Sequence, residues 1–393
     1  MVHYLDNAAT TPVRQAAIDA MVPLWSNEYG NPSGSHRMAR AANRVLDDAR
    51  DVVAESLGAK PGEVVFTAGG TEADNLAIRG MVEIRGGTPV CSAVEHHAIL
   101  DSVTDLGGRI VGVTTDGRID LPKLRSVLQA MIADGETPSI VSVMLANNET
   151  GVIQPIDEVA DVLAEVAPDA VLHTDAVQAM SWVDVAAAAS RAQMISISAH
   201  KFGGPKGVGA LVVRDGLKLK PLLLGGGQER DRRGGTQNVP GIAGMATALA
   251  ITVANRPSEI ARLATLRDHL IDRIVARIDG VHESGVGRLD RTDTSSAMRS
   301  HKTANIAHLC FEDIESEALL FLLEKADVMA SAASSCASGA QDPSHVLAAM
   351  GYDRGLAQGS LRLSLGYITT EADIDAAIES VSSSVERLRS KGR

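Results

Sequence analysis

The run Ile195-Ser196-Ile197-Ser198-Ala199-His200-Lys201-Phe202-Gly203-Gly204-Pro205-Lys206-Gly207-Val208-Gly209 decides the fold. An apolar strand ends in His-Lys and passes through a turn of Gly and Pro before the next strand begins. Lys201 is thereby expected at a strand end, where open α/β sheets keep their ligand sites.

Working outward, short apolar runs recur on both sides: Val64 to Thr67, Val90 to Val94, Arg109 to Val113, Ile140 to Leu145, Ala170 to Thr174, Met194 to Ser198 and Gly209 to Val213. They alternate with helical patterns, the signature of an α/β layer around a mostly parallel sheet. Met38, Ala41, Ala42, Val45, Ala49, Val52 and Val53 recur every three or four residues and stop at Gly58, which predicts an amphipathic helix over 37–57. A second long helix is expected to begin after Pro257-Ser258, with Ile260, Leu263, Leu270, Ile271, Ile274 and Ile278 on one stripe and Gly280 as its stop. The domain boundary is placed there, giving a large domain of residues 15–257 and a small one built from 1–14 and 258–393. Strand-like Thr303 to Phe311 and Ser360 to Leu365, with helices near 313–325 and 371–390, make the small domain α+β. Residues Ser284 to His301 read as an exposed loop.

The composition fits. In 393 residues, 37 Lys and Arg stand against 49 Asp and Glu for a net charge of −12, with 45% hydrophobic and 22% charged residues. That excludes disorder, and the acidic balance speaks against a nucleic-acid binder. The N-terminus has neither a basic nor an apolar leader, so no signal peptide is expected. The uncharged stretch Gly234 to Asn255 carries Pro240, Gly241 and Gly244 and is too interrupted to cross a bilayer. Three cysteines, Cys91, Cys310 and Cys336, without CxxC, argue against a disulfide framework or zinc site and for a reducing, cytoplasmic setting.

Several segments carry chemistry. A lysine whose ammonium is destabilised by burial can condense with an aldehyde, although Lys201 taken alone reads first as a surface residue beside a turn. Leu172-His173-Thr174-Asp175 is another apolar strand ending in an acid. Pyridoxal phosphate needs a carboxylate on its ring nitrogen as well as such a lysine; Asp175 could otherwise cap a helix. Phe66-Thr67-Ala68-Gly69-Gly70-Thr71-Glu72 runs strand, Gly turn, helix start, a phosphate-sized anion site that matches neither GxxxxGK[ST] nor GxGxxG. His96 follows the strand at Val90 to Val94 and could stack on a flat ring and move protons. Asn147-Asn148-Glu149-Thr150-Gly151 offers neutral amide donors. Cys91 and Cys310 sit in apolar strands and read as packed thiols. Cys336 lies in Ser331-Ala332-Ala333-Ser334-Ser335-Cys336-Ala337-Ser338-Gly339, small, polar and aperiodic, where a thiol is a candidate nucleophile.

Together with Tyr4-Leu5-Asp6-Asn7-Ala8-Ala9-Thr10-Thr11, Gly30-Asn31-Pro32-Ser33 and Ser360-Leu361-Arg362-Leu363-Ser364-Leu365-Gly366, these segments resemble the cysteine desulfurases, a family of aminotransferase-like (fold type I) pyridoxal-phosphate enzymes, over nearly the whole chain. The resemblance implies a large domain with a seven-stranded sheet and a smaller C-terminal α+β domain. It implies Lys201 as the cofactor-binding lysine, Asp175 on the ring nitrogen, His96 over the ring, Asn148 and Gln178 near the ring oxygen, and Gly70, Thr71, Ser198 and His200 on the phosphate. Thr236, in Arg233-Gly234-Gly235-Thr236, matches a threonine that reaches the partner subunit's phosphate, which implies a homodimer. Arg362 matches the clamp on the substrate carboxylate, with Asn148 beside it.

Cys336 stands where the family carries its catalytic cysteine, on a loop (about 328–345) like that of the NifS/IscS-like branch. The implied reaction converts L-cysteine to L-alanine, leaves a persulfide on Cys336 and passes sulfur to an acceptor, most often an iron-sulfur scaffold, with Cys336 a transient ligand of a nascent cluster. Two positions depart from the branch: Ala333 replaces its usual Gly, and Ala337 its usual Thr. Ala restricts the backbone relative to Gly, which bears on the acceptor range. An aminotransferase or selenocysteine lyase of the same fold would use Lys201 and Asp175 without needing Cys336. A non-catalytic iron-sulfur-binding scaffold would be expected to lose Lys201 or Arg362, and both are present. No membrane or nucleic-acid partner is expected.

Overall fold

The computed structural model describes residues 2–286, 299–332 and 344–391. A short strand, β1 (His3–Tyr4), precedes the seven that build the principal sheet: β2 (Val64–Thr67), β3 (Thr88–Ser92), β4 (Arg109–Val111), β5 (Pro138–Ser142), β6 (Val171–Asp175), β7 (Met194–Ser198) and β8 (Gly209–Val213). Their order is β2-β8-β7-β6-β5-β3-β4. Strands β3 to β7 run parallel, and β8 is antiparallel to both β7 and β2. The reversal follows from the sequence between β7 and β8. The turn at residues 199–208 contains no helix long enough for a parallel crossover, so the chain returns beside the strand it has just left.

Alternate residues of these strands enter opposite cores. Val64, Phe66, Val141, Leu172, Ile195, Ile197, Ala210 and Val212 pack on one face with Ala42, Leu46, Ala49 and Val53 of helix Arg37–Ser56. Val65, Ile140, Val171, Met194, Leu211 and Val213 pack on the other with Ala73, Leu76, Ala77 and Met81 of helix Gly70–Arg85. Burial on both faces is why the strands read as continuous apolar runs rather than alternating ones. Each fully buried Leu, Ile or Val contributes about 1.5–3 kcal/mol relative to exposure.

A second, antiparallel sheet joins β9 (Val281–Glu283), β10 (Ile306–Phe311) and β12 (Ser360–Ser364), while β11 (Val328–Met329) pairs with β1. Leu309, Phe311, Leu361 and Leu363 form its core with Leu270, Ile271, Ile274, Leu319, Leu323, Ile378 and Val381. Where a new helix was expected after Pro257, one helix runs unbroken from Val239 to Arg277. Its first half packs on the core of the principal sheet and its second half on that of the small one. Pro257 faces solvent, so the carbonyl deprived of its N–H partner lies on the side water can reach, and apolar contacts on both flanks hold the helix together. The expected exposed loop at 284–301 also differs at its ends. Ser284 and Arg299 are buried, and Arg299 pairs with Asp272 and Glu283 at 2.9 Å each. Residues 287–298 lie outside the described residues.

Candidate active site

The C-terminal ends of the parallel strands place the candidate residues along one edge. Asp175 is the last residue of β6, Lys201 follows β7 by one helical turn, Gly70 starts the helix after β2, and His96 and Asn148 follow β3 and β5. The N-terminal segment crosses this edge. Lys201 Nζ donates to the carbonyls of Ala8 (2.6 Å) and Ala9 (2.9 Å), and the Gln178 amide also donates to Ala8 O (2.7 Å). Thr11 is tied to His200 O through its N–H (3.0 Å) and hydroxyl (2.9 Å), and the His200 ring meets Thr10 Oγ1 at 3.2 Å.

Burial lowers the Lys201 ammonium to about 8, Arg362 adds to the shift, and Asp175 and Asp6 pull against it. Its two acceptors are neutral carbonyls, which solvate the cation less well than water does. Burial raises Asp175 to about 6, while the Val177 N–H (2.8 Å) and the charge of Lys201 oppose the rise. His96 is exposed to solvent at the pocket edge although neighbouring atoms crowd its ring. Desolvation, then the charge of Lys201, lowers it to about 4, so the ring is neutral at pH 7. Its Nδ1 accepts from Ala98 N (3.1 Å), which leaves Nε2 to carry the proton. His200 is likewise lowered to about 4.

The anion cradle is the start of helix Gly70–Arg85, capped by Gly69 at φ +156°, with no side-chain cap hydrogen bond to its first N–H groups among the described residues. The site is tight: a Cβ on Gly70 would lie 2.8 Å from Val177 Cγ2 and 3.4 Å from Ser198 Cβ, so Ser198 lines the cradle and glycine is required. Thr71 is exposed at its rim. The acidic Glu72 in the first turn is drawn aside, accepting from Ala68 N (2.8 Å) and pairing with Arg233 Nε (2.8 Å). Thr236, three residues after Arg233, is exposed.

From the small sheet, Arg362 enters the same region. Its Nη2 pairs with Asp6 Oδ1 (2.8 Å), its Nη1 donates to Asn148 O (2.8 Å), and its buried Nε has no partner among the described residues. The Asn148 turn is held by Asn147, whose Oδ1 accepts from Glu149 N and Thr150 N (both 2.9 Å) and whose amide donates to Val94 O (3.0 Å). Cys336 lies outside the described residues. The chain approaches it at Ser331, which exchanges backbone hydrogen bonds with Arg362 (2.7 and 3.2 Å), and resumes at Ser344, whose hydroxyl donates to Glu149.

Some polar residues here were not singled out in the sequence. His173, fully buried, bridges Ser142 Oγ (2.8 Å) and Ser196 Oγ (2.9 Å), and burial lowers it to about 3. Asp74 and Glu95 are buried acids raised well above the carboxylate range by desolvation, and both feel the charge of Asp175. The signal was present for Asp74 and His173, polar residues on otherwise apolar faces. The pairing of Asp6 with Arg362 spans nearly the whole chain and has no local signature. Cys91 and Cys310 are fully buried free thiols, as expected.

A group bearing a phosphate, an aldehyde and a basic ring nitrogen fits this donor set. Open N–H groups sit at a glycine-capped helix start, a lysine is poised near neutrality, and a buried carboxylate lies beside it. The fold and these donors define a class-V aminotransferase: the model of that family matches residues 3–377, and the chain belongs to it. Within the family, the chain is similar to an IscS-like cysteine desulfurase of Mycobacterium tuberculosis, 43% identical over 98% of this chain and 97% of the relative. Among solved structures it is similar to a NifS-like protein (TM-score 0.87, 32% identity, 98% of this chain and 100% of that one). It also resembles SspA in complex with cysteine (TM-score 0.74, 30% identity, 92% and 98%). Among the described residues no helix is long and apolar enough to cross a membrane.

Proposed function

We propose that this enzyme is a pyridoxal-phosphate-dependent cysteine desulfurase, converting L-cysteine to L-alanine and passing the sulfur as a Cys336 persulfide to an acceptor, an iron-sulfur scaffold foremost. The observation that carries the reading is the convergence of Lys201 and Arg362 on one short segment, Asp6 to Ala9, which sets an amine that can lose its proton beside a cation that keeps its own.

Pyridoxal phosphate, when bound, supplies an electron sink conjugated to the substrate α-carbon. Gly70, Thr71, Ser198 and His200 would hold its phosphate, Asp175 would serve its ring nitrogen, His96 would cover its ring, and Asn148 and Gln178 would serve its ring oxygen. Arg362 takes the substrate carboxylate in a charge-assisted bidentate contact, for which its unpartnered Nε is available, with Asn148 at its side. Lys201, free amine in an appreciable fraction at neutral pH, accepts a proton from the α-carbon and returns one to the product. The Cys336 thiolate forms a bond to the substrate sulfur as the substrate Cβ–S bond breaks. The electron pair of that bond stays with the carbon, which takes up a proton and leaves as alanine.

The exposed Thr236, on a segment pinned by the Arg233–Glu72 pair, supports a homodimer in which it reaches the partner's phosphate. The two separate cores support a cofactor-binding part of 15–257 and a smaller part of 1–14 and 258–393. A reducing cytoplasm suits a persulfide carrier, and transient ligation of an iron-sulfur cluster by Cys336 belongs to the same reading. The test is incubation of the cofactor-loaded protein with L-cysteine and a thiol reductant, counting alanine and sulfide, with C336A alongside. Equal yields of both products, lost in C336A, are expected; pyruvate or amino-group transfer instead would overturn the reading.

A further inference from the structure

Glu149 is a buried carboxyl that the mechanism above does not use. It is 2% exposed, its N–H is fixed by Asn147 Oδ1, and its Oε2 accepts the hydroxyl of Ser344, itself 3% exposed. The proton count at Ser344 is closed. Its oxygen accepts from Val346 N (3.1 Å) and Leu347 N (3.2 Å), the first free donors of helix His345–Ala349, so its one proton is committed to Glu149. The helix is held from two further sides. Val346 and Leu347 pack with Val94 and Met144, and the His345 ring meets Glu95 O at 3.0 Å. Through the preceding residue, Asn148, Glu149 is also one peptide away from the carbonyl that Arg362 grips.

The two sides of the pocket therefore hold the two ends of the stretch that contains Cys336. Ser331 is laced to Arg362, and Ser344 is laced to the turn that contacts Arg362. A buried carboxyl is a costly acceptor for the hydroxyl that caps a five-residue helix, where water would serve an exposed cap as well. Its use here is explained by what it fixes.

We propose that Glu149 is a positioning residue for sulfur transfer: by orienting the Ser344 hydroxyl it fixes, relative to Arg362, the point eight residues beyond Cys336 from which that thiol is tethered. This rests on the desulfurase reading and deepens it. The side chain of Glu149 is engaged by Ser344, and its effect falls on the step that needs the thiol.

The experiment compares wild type, E149A, E149Q and C336A, all cofactor-loaded, on L-cysteine and on β-chloro-L-alanine, whose chloride departs without attack by a thiol. In E149A, kcat for alanine and sulfide from cysteine is expected to fall about tenfold or more with KM within a factor of about two, while turnover of β-chloro-L-alanine is retained. In E149Q the amide oxygen still accepts the Ser344 hydroxyl, and most of the cysteine activity is expected to remain. Hydrogen exchange of the Val346 and Leu347 amides gives a readout apart from activity, faster in E149A and near wild type in E149Q. Equal losses on both substrates, an unchanged kcat on cysteine, or unchanged exchange would overturn the proposal. The parent reading fails separately, if C336A turns over cysteine as wild type does, and the proposal falls with it.

Discussion

Lys201 and Arg362 are two cations that reach one pocket from two sheets, and they are held by opposite means. Lys201, at the end of the large sheet, rests on the neutral carbonyls of Ala8 and Ala9, and its ammonium is brought down to about 8. Arg362, on the small sheet, is locked to the Asp6 carboxylate and the Asn148 carbonyl. The difference teaches how a fold assigns roles to like charges. A cation that is buried and hydrogen-bonded only to neutral carbonyls gives up its proton more easily, whereas a guanidinium paired directly with a carboxylate serves as a fixed docking point. One four-residue stretch, Asp6 to Ala9, takes part in both treatments.

Removing the lysine breaks the comparison most severely. K201A is expected to lose cysteine turnover by at least about a thousandfold, because no other amine described here is placed to condense with the cofactor aldehyde. Reduction with borohydride followed by peptide mapping checks it: the modified peptide contains Lys201 in wild type and is missing in the variant. R362A is expected to act on the other side of the comparison, raising KM for L-cysteine by about 10- to 100-fold, the worth of hydrogen bonds to a charged group, with cofactor absorbance unchanged. R362K should recover little of this, since an ammonium cannot make the paired contact.

The titration of Lys201 gives a smaller, sharper effect. The free amine is the reactive form, and with a value near 8 it rises from about a tenth of the population at pH 7 to about half at pH 8. The rate at which protein stripped of cofactor captures pyridoxal phosphate is therefore expected to climb about fivefold over that interval and to level off above pH 9. A flat profile would mean that Lys201 is not the titrating group. D6N, the mildest change, touches both cations at once. Asp6 holds the Lys201 value up, so its removal should move the capture midpoint down by less than one pH unit, while the unpaired Arg362 raises KM several-fold.

Much of this was legible in the chain. Strands β2, β7 and β8 begin and end where their apolar runs do, because both faces are buried and Gly or polar residues bound them. The edge positions of Asp175, Lys201 and Gly70 follow from that alone. What was not legible depends on partners distant in sequence. Nothing near Pro257 announces that two cores will grip the helix on either side of it. Nothing in Asn147-Asn148-Glu149 tells that the acid will be buried and will accept from Ser344, and the anchoring of Arg362 by Asp6 joins opposite ends of the sequence.

That last pairing has a consequence for how the protein is made. Residues 6–11 emerge from the ribosome long before their partners: Asp6 needs Arg362, Asn7 N–H bonds Ser364 O at 3.1 Å, and Ala8 N–H bonds Ser364 Oγ at 2.9 Å. The principal sheet can form during synthesis from strands made in succession. The segment that presents carbonyls to Lys201 cannot settle until the final strand has arrived, so assembly of the pocket is a late event and a chain cut short before residue 362 is left with a folded sheet and no active site.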